Sequence, residues 1–345
     1  MPAGKIIYSS PMVPAEWIAA HGFDPSRRVP ASRAGRRFPG TRVCPFMWHF
    51  LREASSAAAC AGIVLATSCD QMRRAAEYVW PARPARSRAG NRPVCLFNVP
   101  ATYGTAASRE LFAMELDRLG DFLVDLGGRR PSQSMLARAM NEYDRARAEL
   151  RSVRSRLSPR TYAEAIGVFV ESGRLDLRPG MVQPGPGTTR IAVVGGPLFR
   201  EDVEIFSIIE NCGGYVALDG TENGGRSLPA AFSRRGIEAD PVAELTRAYA
   251  DSIPDAFRRP NTLLYRWLED GLRDAKPDGI VVCRHLWCDI WHAEVETIRK
   301  RSRIPVIDLE LENQPVSRRD RTRLEAFVES LARAGRRTGR GGVGR

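Results

Sequence analysis

Arg190-Ile-Ala-Val-Val-Gly-Gly-Pro197 opens the stretch of sequence that decides the fold. Its continuous apolar run, closed by a Gly-Gly-Pro turn, predicts a buried strand over 190–194. A helix is predicted over 202–211, and a second strand begins within Gly213-Gly-Tyr-Val-Ala-Leu218. This order of strand, helix and strand is typical of a βαβ unit, in which the two strands lie parallel in one sheet.

The same alternation extends in both directions from this stretch. Further strands are predicted over 5–8, 62–66, 94–97, 279–283 and 304–309. Helices are predicted over 14–21, 45–60, 70–79, 108–126, 131–157, 263–272, 289–300 and 322–334. The two long helices at 108–126 and 131–157 carry apolar residues at helical spacing and are interpreted as scaffold. The fold class is therefore α/β, with two doubly wound parallel-sheet domains that face a cleft.

Composition places the domain boundary in a segment dense in proline and glycine. Residues 181–189 are predicted to be a linker because such residues break regular structure. The N-terminal α/β domain, with its helical insertion, is predicted over 1–180 and the C-terminal α/β domain over 190–332. Residues 333–345 are rich in arginine and glycine, and this composition predicts a disordered tail.

The overall composition is that of a globular protein without a membrane segment. No apolar run approaches the length of a membrane span, and the N-terminus lacks the apolar segment of a signal peptide. The count of seven cysteines is odd, which favours reduced thiols and a cytoplasmic location over a disulfide framework.

The net charge of +12 raises the question of nucleic-acid binding. Much of the charge lies in the tail and in two loops rich in Pro, Ala and Arg, at 27–37 and 83–92. Because no nucleic-acid motif accompanies the charge, we do not expect nucleic acid as a partner. A basic surface would also attract an anionic substrate such as a phosphorylated carrier.

Three of the cysteines stand in distinctive local sequences. Cys44 lies in Val-Cys-Pro-Phe, Cys69 in Thr-Ser-Cys-Asp-Gln and Cys288 in Leu-Trp-Cys-Asp-Ile-Trp. Each lies beside a predicted strand or at the start of a helix, where loops of open α/β sheets converge to build sites. Three thiolates there would suit an iron–sulfur cluster with one iron left open. Their spacing alone leaves core packing open as the alternative, since free cysteine often packs as a small buried hydrophobe.

The other four cysteines are interpreted as structural. Cys60, Cys95 and Cys283 adjoin or lie inside apolar runs, and Cys212 is placed at a helix C-terminus. No CxxC pair or tight Cys/His cluster is present, which argues against a zinc finger.

Across residues 5–331 the chain resembles the 2-hydroxyacyl-CoA dehydratase family, which includes the subunits of 2-hydroxyglutaryl-CoA dehydratase and of benzoyl-CoA reductase. The resemblance rests on the order and spacing of several segments. They are Val13-Pro-Ala-Glu-Trp-Ile-Ala-Ala-His-Gly22, Val43-Cys-Pro45, Ser68-Cys-Asp-Gln71, the stretch 190–197 with Gly213-Gly214, Ile304-Pro-Val-Ile-Asp-Leu-Glu-Leu-Glu-312 and Thr322-Arg-Leu-Glu-Ala-Phe327.

The resemblance implies a cofactor, partners and a reaction. It implies a [4Fe–4S] cluster held by Cys44, Cys69 and Cys288, a paralogous second subunit in a heterodimer, and an ATP-dependent activator protein that supplies an electron. The implied enzyme is a lyase that acts on an acyl-CoA thioester under anaerobic conditions, by radical dehydration or reduction through a ketyl. Two alternatives stay open: a double-cubane-type reductase, and a non-catalytic electron-relay or partner subunit.

Other polar residues near these cysteines are further candidates. His49 follows Cys44 on its predicted helix, His292 follows Cys288 by one helical turn, and Ser10 ends the first strand. These three residues are predicted to be catalytic, by proton donation or by contact with substrate. A structural role is the alternative for both histidines, and helix capping is the alternative for Ser10. Ser9, Asp70 and Asp289 also have helix capping as an interpretation, and Glu16 is interpreted as structural. The sequence Gly195-Gly196-Pro197 is not GxGxxG, so a dinucleotide site is not expected.

Overall fold

The computed structural model describes residues 4–32, 43–79, 92–177, 185, 187–312 and 316–339. The first half of the chain contains β1 (Lys5–Tyr8), α1 (Ala15–Ala20), β2 (Asp24–Arg27), α2 (Pro45–Ser56), β3 (Cys60–Ala66), α3 (Asp70–Val79), β4 (Val94–Phe97), α4 (Ala106–Asp125), α5 (Gln133–Val153) and α6 (Pro159–Ser172). The second half contains β5 (Thr189–Gly195), α7 (Glu204–Asn211), β6 (Gly214–Gly220), α8 (Arg234–Ala239), α9 (Pro241–Ser252), α10 (Thr262–Ala275), β7 (Gly279–His285), α11 (Asp289–Ser302), β8 (Val306–Leu311) and α12 (Arg318–Gly339).

Within the described residues the strands form two four-stranded sheets, which confirms the predicted fold class. Their orders are β2-β1-β3-β4 and β6-β5-β7-β8, and every pairing between neighbouring strands is parallel. The two sheets therefore share one arrangement, with the first strand of each half in the second position. In each sheet the connections leave that strand in opposite directions, which creates a topological switch point beside it.

Each sheet is buried on both faces, as the continuous apolar runs predict. In β3, Ile63 and Leu65 point into one apolar cluster while Val64 and Ala66 point into another. Residues of β5 divide in the same way between two clusters. Gly195 ends β5 with φ 148°, and a Cβ there would lie 1.9 Å from the carbonyl oxygen of Cys283. Glycine thus lets β5 and β7 run close together up to the edge where they end.

The two halves of the chain interpenetrate. Helices α8 and α9 follow β6 in sequence but pack on α4 and α5 of the first half, where Leu245 and Tyr249 join the cluster of Trp17 and Phe112. Helix α6 in turn contacts β6 and α7 as well as β2. The predicted boundaries at 180 and 190 stay a prediction. Residues 181–184 and 186 of the linker lie outside the described residues.

Several element bounds differ from those predicted. The helix predicted over 45–60 ends at Ser56, and Cys60 is the first residue of β3. Helix α12 continues to Gly339, past the predicted start of the tail, while residues 340–345 lie outside the described part. Residues 33–37 and 83–91 of the predicted basic loops lie outside it too. In the described part of the chain, no helix has the length and apolar character of a membrane span.

Candidate functional site

A cavity of about 70 Å³ lies where the carboxyl ends of strands from both sheets meet. From the first sheet it is lined by Ser9 and Ser10, which follow β1, and by Ser68 and Cys69, which follow β3. From the second sheet it is lined by residues beyond β5, β6 and β7. Both switch points therefore open into one cavity, which is the position at which α/β sheets bind ligands.

The structure brings Cys44, Cys69 and Cys288 together as lining residues of this cavity. Cys44 and Cys288 are the N-cap residues of α2 and α11, and Cys69 directly precedes α3. The other cysteines lie elsewhere: Cys60, Cys95 and Cys283 are buried in the core. Three loops that are far apart in sequence thus present three thiols to one space.

The Cys69 thiol accepts a hydrogen bond from the first turn of its helix, and the other two thiols lie near the first-turn amides of theirs. The amide of Met72 donates to the Cys69 sulfur at 3.3 Å. The amides of Met47 and Phe46 favour the anionic form of the Cys44 sulfur, and the amide of Trp291 favours that of the Cys288 sulfur. Helix N-termini carry partial positive charge, so all three positions favour sulfur in its anionic form.

Burial opposes ionisation of the three thiols as long as they carry no ligand. It raises the pKa of the Cys44 thiol to about 11 and that of the Cys288 thiol to about 12. Burial also raises the pKa of Cys69, and the neighbouring Cys44 and Cys288 thiols raise it further. Three close thiols in a cavity are thus protonated on their own, whereas a bound metal would hold them as thiolates.

Ser10, one of the predicted catalytic residues, lines the cavity and is partly engaged in local structure. Its hydroxyl oxygen accepts the amide hydrogen of Met12 at 3.2 Å, and the Ser68 hydroxyl donates to the same oxygen at 3.4 Å. The Ser9 hydroxyl lies 3.7 Å from the sulfur of Met72. Three hydroxyls from two loops therefore form one polar wall beside Cys69.

His49 and His292 lie outside the described lining of this cavity. His49 is buried on α2, with its ring edge against Phe199 at 5.3 Å between centroids. His292 is exposed on α11. The catalytic roles predicted for these two histidines stay predictions. Asp70 and Asp289 are the first residues of α3 and α11 and are exposed to solvent. Their negative charges interact favourably with the positive ends of the helix dipoles.

Sequence reasoning missed three polar residues that line the cavity: Glu222, Asp255 and His285. His285 is the last residue of β7, and Glu222 follows β6 by two residues. The rule that singled out the cysteines, a polar residue at the end of an apolar strand, would have found both. Asp255 follows α9 in an irregular segment, and no local pattern marks it.

The two carboxylates are held by arginines. The Arg27 guanidinium lies 3.4 Å from a carboxylate oxygen of Glu222 and donates to its backbone carbonyl at 3.0 Å. Arg226 donates to Asp255 at 3.0 Å and to the carbonyl of Gly195 at 2.9 Å. Burial raises the pKa of Glu222, and Arg27 opposes this shift. The carboxyl group of Glu222 therefore holds its proton to a higher pH than an exposed glutamate does.

The donor set fits an iron–sulfur cluster better than a single metal ion. In the described part of the chain, no three ligating side chains converge on one ion. Cluster ligation requires no such convergence, since each cysteine binds a different iron atom of the cluster. Three thiols that line one cavity, each at the start of a helix, meet this requirement.

The model of the family HGD-D, 2-hydroxyglutaryl-CoA dehydratase, D-component, matches residues 11–331. The match includes Cys44, Cys69 and Cys288 but begins one residue after Ser10. It extends from the loop after β1 into α12. A search among proteins of curated function finds no match.

Proposed function

Because the chain belongs to the 2-hydroxyglutaryl-CoA dehydratase D-component family, we propose that it is the iron–sulfur subunit of a 2-hydroxyacyl-CoA dehydratase-like lyase. Its cofactor would be a [4Fe–4S] cluster held by Cys44, Cys69 and Cys288. Its partners would be a paralogous second subunit and an ATP-dependent activator that delivers one electron. Reduced thiols support a cytoplasmic location.

The observation that carries the proposal is the meeting of three cysteines at one cavity. Three ligands leave the fourth iron of a cluster without a protein ligand. A cluster of this kind supplies a single electron and a Lewis-acidic iron when it is bound. Loss of water from a 2-hydroxyacyl thioester needs this help, because the proton to be removed lies β to the carbonyl and is hardly acidic.

The residues of the chain would position the substrate around that chemistry. Ser9, Ser10 and Ser68 offer hydroxyl donors to the thioester or hydroxyl oxygen. The apolar side chains of Met47 and Ile290 line the same cavity and would exclude water from the reacting atoms.

Glu222 is suited to move the proton that dehydration releases. Its carboxyl group lines the cavity, and burial raises its pKa from the ordinary range toward the pH at which a general base works best. The carboxylate form would accept the β-proton, and the carboxylic acid would return a proton to the departing hydroxide. Arg27 fixes the position of this carboxyl group.

The proposal is tested by iron and acid-labile sulfide analysis with EPR on anaerobically purified protein. We expect about four irons per chain, and loss of this iron when Cys44, Cys69 and Cys288 are all replaced by Ala. A Cys60/Cys95/Cys212→Ala triple variant is the matched control, because it removes the same number of thiols outside the cavity. Equal iron in the two variants, or no iron in the wild type after reconstitution, would refute the ligand assignment.

A further inference from the structure

His285 is an imidazole that the cysteine cavity contains but that the reaction described above does not use. It ends β7, lines the cavity and is 2% exposed. The amide of Cys288 donates to the His285 carbonyl at 3.0 Å, so the histidine and the cysteine belong to one tight turn. Any group bound by the Cys288 sulfur lies in the cavity that this ring lines.

Two aromatic rings fix the orientation of the imidazole. Phe199 packs against it at 4.6 Å between centroids with an interplanar angle of 62°, and Phe46 packs at 5.6 Å. Phe46 belongs to the helix that begins after Cys44. The ring is thus clamped between the segment that carries one ligand cysteine and the loop after β5, and a clamped ring serves as a positioned donor.

Both nitrogen atoms of this ring are buried. In the described part of the chain, neither Nδ1 nor Nε2 makes a hydrogen bond. The carbonyls of Leu311 and Pro197 lie close enough to affect the ring but do not reach hydrogen-bond geometry. An unpaired buried donor destabilises the folded state, and a hydrogen-bond acceptor inside the cavity would remove this destabilisation.

We propose that a ring N–H of His285 donates a hydrogen bond to a sulfur of the cluster held by Cys44, Cys69 and Cys288, and that this contact raises the reduction potential of the cluster. This inference rests on the proposed function. Reduction adds negative charge to the cluster, so an N–H donor stabilises the reduced form more than the oxidised form. A donor of this kind makes the cluster easier to reduce by the activator.

The test is an EPR-monitored redox titration of the anaerobic full-length chain. His285→Leu removes the donor and is expected to shift the midpoint potential of the cluster to a lower value. His285→Gln keeps an N–H donor and is expected to lie closer to wild type. His21→Leu is the matched control, because His21 is also buried but bonds to the Trp17 carbonyl at 2.7 Å on α1, away from the cavity lining.

Each outcome decides the inference. Full iron content with an unchanged potential in His285→Leu overturns the contact and leaves the proposed function intact. Loss of iron from His285→Leu with retention in His285→Gln supports it, because only the donor separates the two variants. Loss from both variants overturns it, since packing alone then explains the residue. A wild-type chain without iron overturns the proposed function and this inference together.

Discussion

Trp287 adopts a left-handed backbone conformation, with φ 67°, in the turn that carries Cys288. The hydrogen bond from the Cys288 amide to the His285 carbonyl closes this turn around Leu286 and Trp287. Positive φ at the third position of such a turn favours glycine, and a bulky residue there is strained. Strain of this kind gathers at functional sites, and here it lies next to a proposed ligand.

Substitution at Trp287 tests this backbone conformation. Trp287→Gly and Trp287→Ala both remove the indole, but only glycine adopts positive φ without a Cβ clash. We therefore expect the Gly variant to be more stable than the Ala variant by about 1 kcal/mol in urea unfolding. The same pair at the exposed helical residue Glu296 should give the opposite order. The same order at both positions would contradict the left-handed assignment.

At the residue scale, the sequence predicts the three cysteines and Ser10 of the cavity but not Glu222, Asp255 and His285. Cys44, Cys69 and Cys288 were recognised by their local sequence and by a family resemblance. Arg27 and Arg226 form ion pairs that hold Glu222 and Asp255 at the cavity. The partners of these arginines lie in segments that are distant in sequence. No local periodicity encodes such a meeting, because it depends on how two sheets face each other.

At the scale of elements, helix α6 and strand β2 are among the elements that the sequence patterns above do not predict, and the causes differ. Helix α6 has every terminal signal: Ser158 as N-cap, Pro159 in the first turn and Gly173 in a left-handed C-cap with φ 68°. These signals were available in the sequence. Strand β2 reads Asp-Pro-Ser-Arg and carries no strand propensity. Pairing with β1 makes it a strand, and its edge position tolerates the proline.

The short turn before α7 contains a buried carboxyl group that makes the stability of the fold depend on pH. Asp202 is fully buried, and it accepts the amide hydrogen of Phe199 at 3.1 Å. Its other oxygen has no partner in the described part of the chain. Burial raises its pKa from 3.8 to about 7. The folded protein therefore retains a proton at pH values where the unfolded chain has lost it.

Asp202→Asn tests this shift. A raised pKa in the folded state gives stability that is fully present below pH 3.8 and is lost as the pH rises through about 7. We expect the Asn variant to gain stability relative to wild type between pH 4 and pH 8, by at most about 4 kcal/mol. Thermal unfolding across this range gives the difference. Asp270→Asn on the exposed face of α10 is the control, and equal pH profiles for the two variants would contradict the shift.

At the scale of the whole molecule, a buried ion pair joins the two halves. Glu16 of α1 and Arg147 of α5 form a contact of 2.6 Å, with both side chains almost fully buried. Tyr249 of α9 donates to Glu16 at 2.7 Å, and Phe232 stacks under the Arg147 guanidinium at 4.9 Å. The last two residues come from the second half of the chain, so the pair anchors one half to the other.

Removal of one charge from this pair should lower the free energy of unfolding more than removal of both charges does. Arg147→Met leaves the Glu16 carboxylate buried and unpaired, for which we expect a loss of about 3–5 kcal/mol in urea unfolding. The Glu16→Gln, Arg147→Met double variant should lose clearly less, because no uncompensated charge remains. Additive losses in the complete mutant cycle would show that the two side chains are not coupled.

The cavity draws Cys44 and Cys69 from the first half of the chain and Cys288 from the second. A cofactor bound to all three cysteines would link the two halves of the chain as well as take part in the reaction. Binding of such a group stabilises the folded state at the same time as it equips the site. A chain that has lost such a group would lack this stabilisation, so it should unfold at a lower urea concentration than the chain that holds it.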